Sequence, residues 1–418
     1  MSEALSLSRP QSAAIGWWER TCRRGVLATF ARLRRGSLLL REPGTDPVVL
    51  GEGDISGTLT VHDPAFWPAA LLGGSVGVGE AYTEGLWSSE DLPALIALFA
   101  RNRELSDRFD RGWAALSAPL RRLAHAWHRN SRSGARANIA AHYDLGNAFF
   151  EQVLDPTLSY SACWYARPET TLAEAAVAKL DAVCTRLGLA RGQHLVEIGT
   201  GWGGLAIHAA RHYGVRVTTT TISEAQRQLA IERVRQAGLA DRITVLGDDY
   251  RDLPRRLASD LADRVVSIEM VEAIGSQQYA QYLGCIRDLL KPDGAALIQA
   301  ITIPDQRFAS AAREVDFIKR WIFPGSCIPS LAALLAANAK AGGLDLVSQE
   351  DFGLHYARTL ADWRARLHAN REAILAQGYS ETFLRQFDFY FAYCEGGFRE
   401  RAIGVSHLLF ARPGWRPC

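Results

Sequence analysis

The sequence predicts an α/β protein in two parts: a mainly parallel sheet with helices on both faces over residues 136–418, preceded by a helical and small α+β unit over residues 1–130. Three observations carry this expectation. Strand-like runs at 194–198, 216–221, 243–246, 264–268 and 295–301 alternate with helical patterns at 205–213, 224–237 and 278–290, the mark of βαβ crossovers. A glycine-rich turn follows the first of those strands and opens a helix. Polar, turn-forming residues at 130–134 (NSRSG) interrupt the helical region before them and mark the linker.

The bulk properties agree. At 418 residues the chain exceeds one ordinary core. Its 48% hydrophobic and 22% charged residues are a globular balance. No run of about 18 apolar residues appears, and the N-terminus lacks a charged-then-apolar signal pattern, so a cytoplasmic protein without a membrane span is expected. Seven cysteines without a Cys-x-x-Cys pair fit reduced thiols, and no metal is expected. Within the first unit, extended runs at 48–50 and 57–61, turns at 43–44 and 73–74, and a helical tail at 91–100 read as the α+β element.

The net charge of +2 hides two basic stretches. From Arg111 to Tyr143 there is no acid, while Arg111, Arg121, Arg122, Arg129, Arg132 and Arg136 accumulate. In 13–35, Ile15, Trp18, Cys22, Val26, Phe30 and Leu33 recur at helical spacing, with arginines mostly elsewhere around the helix. Both would suit an anionic bilayer surface. Both also suit ordinary helices docked on the protein's own core with solvated arginines. No nucleic-acid recognition module accompanies them.

The sharpest local signal is VEIGTGWGG at 196–204. Glycines at 199, 201 and 203 let the backbone turn tightly and approach a ligand. Gly199, Gly201 and Gly204 also satisfy a dinucleotide pattern, but such a site wants an acid about 20 residues on, where this chain has TTTTIS at 218–223. Glu197, just before the glycines, stands where S-adenosylmethionine (SAM) dependent methyltransferases carry an acid near the methionine or ribose end of the cofactor. SAM is the expected ligand.

With these residues in view, the chain resembles the cyclopropane fatty acid synthases, a family that includes the mycolic acid cyclopropane synthases. The resemblance rests on ordered motifs: GGSVGVGEAY at 73–82, HYDLGN at 142–147, LSYS at 158–161, the glycine loop, TISEAQ at 221–226, DYRD at 249–252, SIEMVE at 267–272, and IFPG at 322–325 leading to Pro329 and Ser330. It implies a Rossmann-like SAM-dependent methyltransferase domain behind a small lipid-binding domain. By position it implies that Tyr160 and Ser161 lie near the cofactor's methionine end, with Gly199 and Gly201 beneath it. Thr221, Ser223 and Gln226 would replace the missing acid at the ribose, and Asp249 and Tyr250 would border the adenine.

The same resemblance implies carbon transfer to the double bond of unsaturated acyl chains in a phospholipid bilayer. The enzyme would work peripherally at the inner face of the membrane, and a homodimer is compatible with it. An alkene attacked by the SAM methyl becomes a cation, which needs shielding from water and π faces; Trp164, Tyr165, Trp202, Trp321 and Phe323 are candidate walls. Ring closure then needs a base. In the family this is a bound bicarbonate, implied here to be held by Glu272 and Tyr356 with the Ile301 amide. Two departures stand out. Ala162 replaces the cysteine after Tyr-Ser, with Cys163 displaced by one as an apolar filler, and Gln299 replaces a histidine. Ala162 can still give a backbone N–H and Gln299 an amide donor. These departures keep open a methyl- or methylene-branched product, and beyond it a non-catalytic binder of lipid or SAM.

Overall fold

The computed structural model describes residues 15–105 and 146–417. The basic run from Arg111 to Arg136, the 130–134 linker and His142 to Leu145 of the HYDLGN motif lie outside the described residues, as do 13 and 14. The chain divides into two compact units. One holds residues up to 119 together with Ser380–Gly396, a C-terminal segment that a contiguous division at 130 does not include. The other holds 120–379 and 397–418.

In the first unit, β1 (Gly36–Arg41), β2 (Val48–Glu52), β3 (Ile55–Val61) and the two-residue β4 (Trp87–Ser88) form a sheet in the order β2-β1-β3-β4. The helix Trp17–Phe30 buries Cys22, Val26 and Phe30 of the apolar stripe, and Leu33 follows them inward. Most of that stripe therefore serves the unit's own core, while Trp17 and Trp18 at the helix start are exposed. At the expected turn at 73–74 the helix Phe66–Thr83 is broken by a kink: Gly74 leaves the helical conformation with φ of 59° and ψ of −144°, a backbone that side-chain-bearing residues rarely adopt. The tail at 91–100 is the helix Leu92–Arg101, capped by the Asp91 side chain.

The second unit carries a seven-stranded sheet, β10-β11-β9-β8-β5-β6-β7. Its members are β5 (His194–Ile198), β6 (Arg216–Thr220), β7 (Ile243–Leu246), β8 (Ala262–Ile268), β9 (Leu290–Thr302), β10 (Asp345–Asp351) and β11 (Gly404–Ala411). Strands β5 to β9 pair in parallel, as expected from their helical spacers, and β11 joins β9 antiparallel. Buried apolar residues cover both faces of the sheet, Ile198, Tyr282 and Phe410 in one cluster and Leu180, Leu195 and Leu409 in the other. That accounts for central strands buried along most of their length rather than at alternate residues. Strand order reverses between β5 and β8, and a doubly wound sheet opens its ligand crevice at the carboxyl ends flanking such a reversal. Among the described residues no helix is long and apolar enough to cross a membrane.

Candidate active site

The crevice is framed by the turns that leave β5 and β8. After β5, Gly199, Gly201 and Gly203 all have positive φ (102°, 52° and 83°). They differ in surroundings. A Cβ on Gly201 would meet nothing within 4 Å, whereas one on Gly204 would lie 2.6 Å from the Thr157 carbonyl oxygen. Gly201 thus leaves an open cradle and Gly204 a close packing contact, the division of labour a glycine loop needs to admit a ligand at a helix start.

Glu197, within β5, is fully covered and accepts a hydrogen bond from the Thr219 hydroxyl at 2.6 Å; Thr219 also meets the Thr200 hydroxyl at 2.7 Å. Burial pushes the Glu197 carboxyl up to about 8, partly offset by Thr219 and the nearby Lys179 charge. At the end of β6, the Thr221 hydroxyl donates to Gln226 Oε1 at 2.9 Å, and Ser223 caps the helix Glu224–Gln236. The three residues expected at the ribose therefore form one buried cluster. Asp249 is tied to Arg251 at 2.5 Å, and the neighbouring Tyr250 hydroxyl is buried with no hydrogen-bond partner among the described residues. Such an orphan donor suits a ligand's polar edge.

After β8 comes the centre of the site. Glu269 has φ of 48°, left-handed backbone that costs a side-chain-bearing residue ~1–3 kcal/mol. The turn aims its carboxylate at three donors. The Ala162 N–H and the Gln299 amide Nε2 donate to Oε1 at 2.9 and 2.7 Å, and the Tyr356 hydroxyl donates to Oε2 at 2.7 Å. Burial raises the Glu269 pKa, and these three donors oppose the rise. Gln299 is oriented from behind. β11 pairs His407 with Gln299, and His407 Nε2 lies 2.9 Å from the amide oxygen. Burial, with Arg186 and Lys179 nearby, lowers His407 to about 3, so the ring is neutral and its Nε2–H donates, leaving the amide nitrogen to face Glu269.

Glu272 makes none of these hydrogen bonds. Its Oε1 accepts the Ile301 N–H, and its Oε2 is buried with no hydrogen-bond partner among the described residues. Burial and then repulsion from Glu269 push it up to about 8. Here the expectation is corrected: Tyr356, Gln299 and Ala162 do not converge beside Glu272 but on Glu269, because the turn after β8 brings the carboxylate three residues earlier into their reach. Of that group only Ile301 serves Glu272. The spacing of two acids at i and i+3 straight after a strand was the available signal for Glu269.

Lys179 was also missed. It is buried on the inner stripe of the helix Leu172–Arg186 and donates to the Ser161 hydroxyl at 3.0 Å. A lysine in phase with Ala175, Ala176, Leu180 and Val183 was the clue. Cys163 fits its reading as filler, since burial pushes its thiol up to about 12.

Of the five aromatic candidates, two line this region together with Tyr160. Trp202 and Tyr160 pack on Phe150 at 4.9 and 5.1 Å, and Tyr160 also meets Trp363 at 5.3 Å and Phe323 at 6.4 Å. Trp363 stands edge-on to Tyr356 at 6.0 Å. Trp164 and Tyr165 instead stack with His355, and Trp321 is exposed under Arg320. Neither Phe150 nor Trp363 belongs to a motif that pointed to it.

Two carboxyls raised to about 8 have a consequence for stability. Between the ordinary value of 4.5 and about 8 the native state binds more protons than the unfolded chain, so stability is greatest below that window and is lost as pH rises through it. Denaturant midpoints of the ligand-free protein should fall from about pH 5 to about pH 9. Glu197→Gln and Glu272→Gln should each flatten that fall, and unchanged slopes would rule out the raised carboxyls as its source.

Comparison with known proteins identifies the chain's family. Residues 130–408 match the family model for mycolic acid cyclopropane synthetase. A tuberculostearic acid methyltransferase of Mycobacterium tuberculosis is 34% identical over 94% of both chains. The cyclopropane-fatty-acyl-phospholipid synthase of Escherichia coli is 34% identical over 86% of this chain and 89% of its own. Among solved structures, a cyclopropane synthase of M. tuberculosis superposes with a TM-score of 0.61 at 30% identity, covering 66% of this chain and 98% of that one. A mycolic acid cyclopropane synthase complexed with SAH and CTAB gives 0.60 at 31% identity, with the same coverage. The chain belongs to the mycolic acid cyclopropane synthetase family and is a SAM-dependent methyltransferase of that type.

Proposed function

We propose that this enzyme transfers a one-carbon unit from SAM to the double bond of unsaturated acyl chains in phospholipid, with closure of a cyclopropane ring as the first reading. The observation that carries it is a partly buried carboxylate, Glu269, at the switch point of the sheet, with Tyr356 bound to it and the rings of Trp363 and Tyr160 beyond. Negative charge and π faces together are what a carbocation on an acyl chain requires. When bound, SAM supplies an electrophilic methyl carbon. The residues suited to hold it are Glu197, Gly199, Gly201 and Gly203 under the methionine and ribose, Tyr160 and Ser161 beside them, Thr221, Ser223 and Gln226 at the ribose hydroxyls, and Asp249 with Tyr250 at the adenine. The open cradle at Gly201 and the orphan Tyr250 hydroxyl support this fit. Bicarbonate fits less well, because the donors implied for it, Tyr356, Gln299 and Ala162, are engaged by Glu269.

Phospholipid as substrate draws support from the E. coli relative named for it, and a substrate held in a bilayer calls for peripheral action, here at the inner membrane face. The exposed Trp17 and Trp18 at the start of the first helix suit an interfacial position. A second reading, a methyl- or methylene-branched product, is favoured by the tuberculostearic acid methyltransferase, equally identical over more of the chain. Expression in a host lacking cyclopropane lipids, with mass spectrometry of its fatty acids, separates the readings. Unsaturated chains should gain one CH2, and fragmentation should locate it as a ring or a branch. A lipid profile without any CH2 addition would sink both.

A further inference from the structure

We infer that Glu269 is a built-in replacement for an exogenous anion, the base that takes the proton in this enzyme, so that catalysis does not need bicarbonate. The inference rests on the acyl-transfer reading above for its chemistry and on the geometry alone for its anion site.

The donors are arranged around an acceptor with two oxygens. One backbone N–H, one side-chain amide and one phenol converge from three separate segments, at 162, 299 and 356, and each ends on a Glu269 oxygen within 2.9 Å. A free carboxylate-shaped anion would ask for the same three donors. A side chain gets there only because the backbone at 269 holds a left-handed conformation, and the surroundings enforce that conformation: the Glu269 N–H donates to the Gln299 carbonyl at 2.8 Å. The same glutamine thus holds the backbone of Glu269 through its carbonyl and the carboxylate through its amide, with His407 fixing the amide's sense. Glu272, buried beside a second negative charge, is the neutral member of the pair and the lesser candidate for base.

In the step assigned to it, a methyl carbon has joined one alkene carbon, its former bonding pair has left with the sulfur as S-adenosylhomocysteine (SAH), and the neighbouring carbon bears the positive charge. The Glu269 carboxylate takes a proton either from the new methyl group, which is bonded to the carbon beside the charged one, or from a carbon bonded directly to the charged one. The C–H pair closes the three-membered ring in the first case and forms a carbon–carbon double bond in the second. Glu269, now a neutral acid, returns the proton to solvent. No oxidant or reductant is consumed.

The test uses the whole chain with vesicles of monounsaturated phosphatidylglycerol, in buffer freed of carbon dioxide. Wild type should turn over equally with and without added bicarbonate. Glu269→Gln, which keeps the side-chain volume, should lose about 10³-fold in turnover while binding SAH normally by calorimetry. Glu269→Gly relieves the left-handed backbone and empties the anion position, so bicarbonate or acetate should restore its turnover in a saturable way. A second arm needs no lipid. With SAH bound, ¹³C-bicarbonate should bind saturably to Glu269→Gly and not to wild type. Strict bicarbonate dependence of wild type, full activity of Glu269→Gln, or saturable ¹³C-bicarbonate binding by wild type would each overturn the inference. Because the binding arm decides without the acyl substrate, an enzyme that modifies no unsaturated lipid would refute the substrate reading while that arm still ruled on the anion site.

Discussion

Gly201→Val is expected to abolish binding of SAM and SAH, weakening both at least roughly 100-fold, or ~2.7 kcal/mol, while leaving the fold intact. Two effects add. Gly201 has φ of 52°, which a β-branched residue adopts only under strain. The space its Cβ would enter is free of protein atoms within 4 Å, so the two valine methyls would stand where the cofactor must lie rather than against a neighbour that could yield. Calorimetry with SAH measures the loss, and a denaturant melt checks the fold. Gly201→Ala, with one methyl, should fall between. Normal affinity in the valine variant would mean that the ligand does not use this loop.

Tyr356→Phe should lower turnover at neutral pH by about 10²–10³-fold, of the order that losing one preorganised donor to a charged active-site group costs, with SAH affinity unchanged. The Tyr356 hydroxyl donates to Glu269 Oε2, and no other hydrogen bond to that oxygen is seen among the described residues. Its loss destabilises the ionised carboxylate and raises the pKa further, since a donor to the charged form is what holds it down. The base must be ionised to act, so the acidic limb of the pH–rate profile should move to higher pH. A purely structural role for Tyr356, which also stacks on Phe398 at 4.6 Å, would lower stability without moving that limb. An unshifted profile would therefore detach Tyr356 from the base. Gln299→Leu, which removes a donor to the other oxygen, should shift the limb the same way.

The catalytic fold was legible in the chain because its signals are local. Five strand-like runs at 194–301 reappear as β5 to β9, the first and third with the same bounds. Their spacing by amphipathic helices leaves a parallel sheet as the only compact arrangement. The glycine loop was legible for a related reason: positive φ at 199, 201 and 203 is a backbone demand that a sequence meets by writing glycine. The kink at Gly74 shows the limit of the same signal. Paired glycines announce a break in regular backbone, but whether the chain turns there or a helix continues past it depends on what packs around it.

Sequence alone thus determined the family, the cofactor class and the parallel core of the sheet, all of which depend on residues near one another in the chain or on motifs in fixed order. Tertiary structure alone decided which acid is the centre of the site. Positions 162, 269, 299, 356 and 407 are brought together by register and strand crossover: β9 lies beside β8 with Gln299 level with Ile268, and β11 sets His407 against Gln299. A glutamate with left-handed backbone violates local preference, and the paired acids after β8 do not say which of the two the donors meet. It persists because three distant donors and a cross-strand amide hold it, and a hydrogen-bond network closed by long-range pairing has no one-dimensional trace. Lys179 and the rings of Phe150 and Trp363 were hidden for the same reason, since a buried charge and a core aromatic acquire a role only from what the fold sets opposite them.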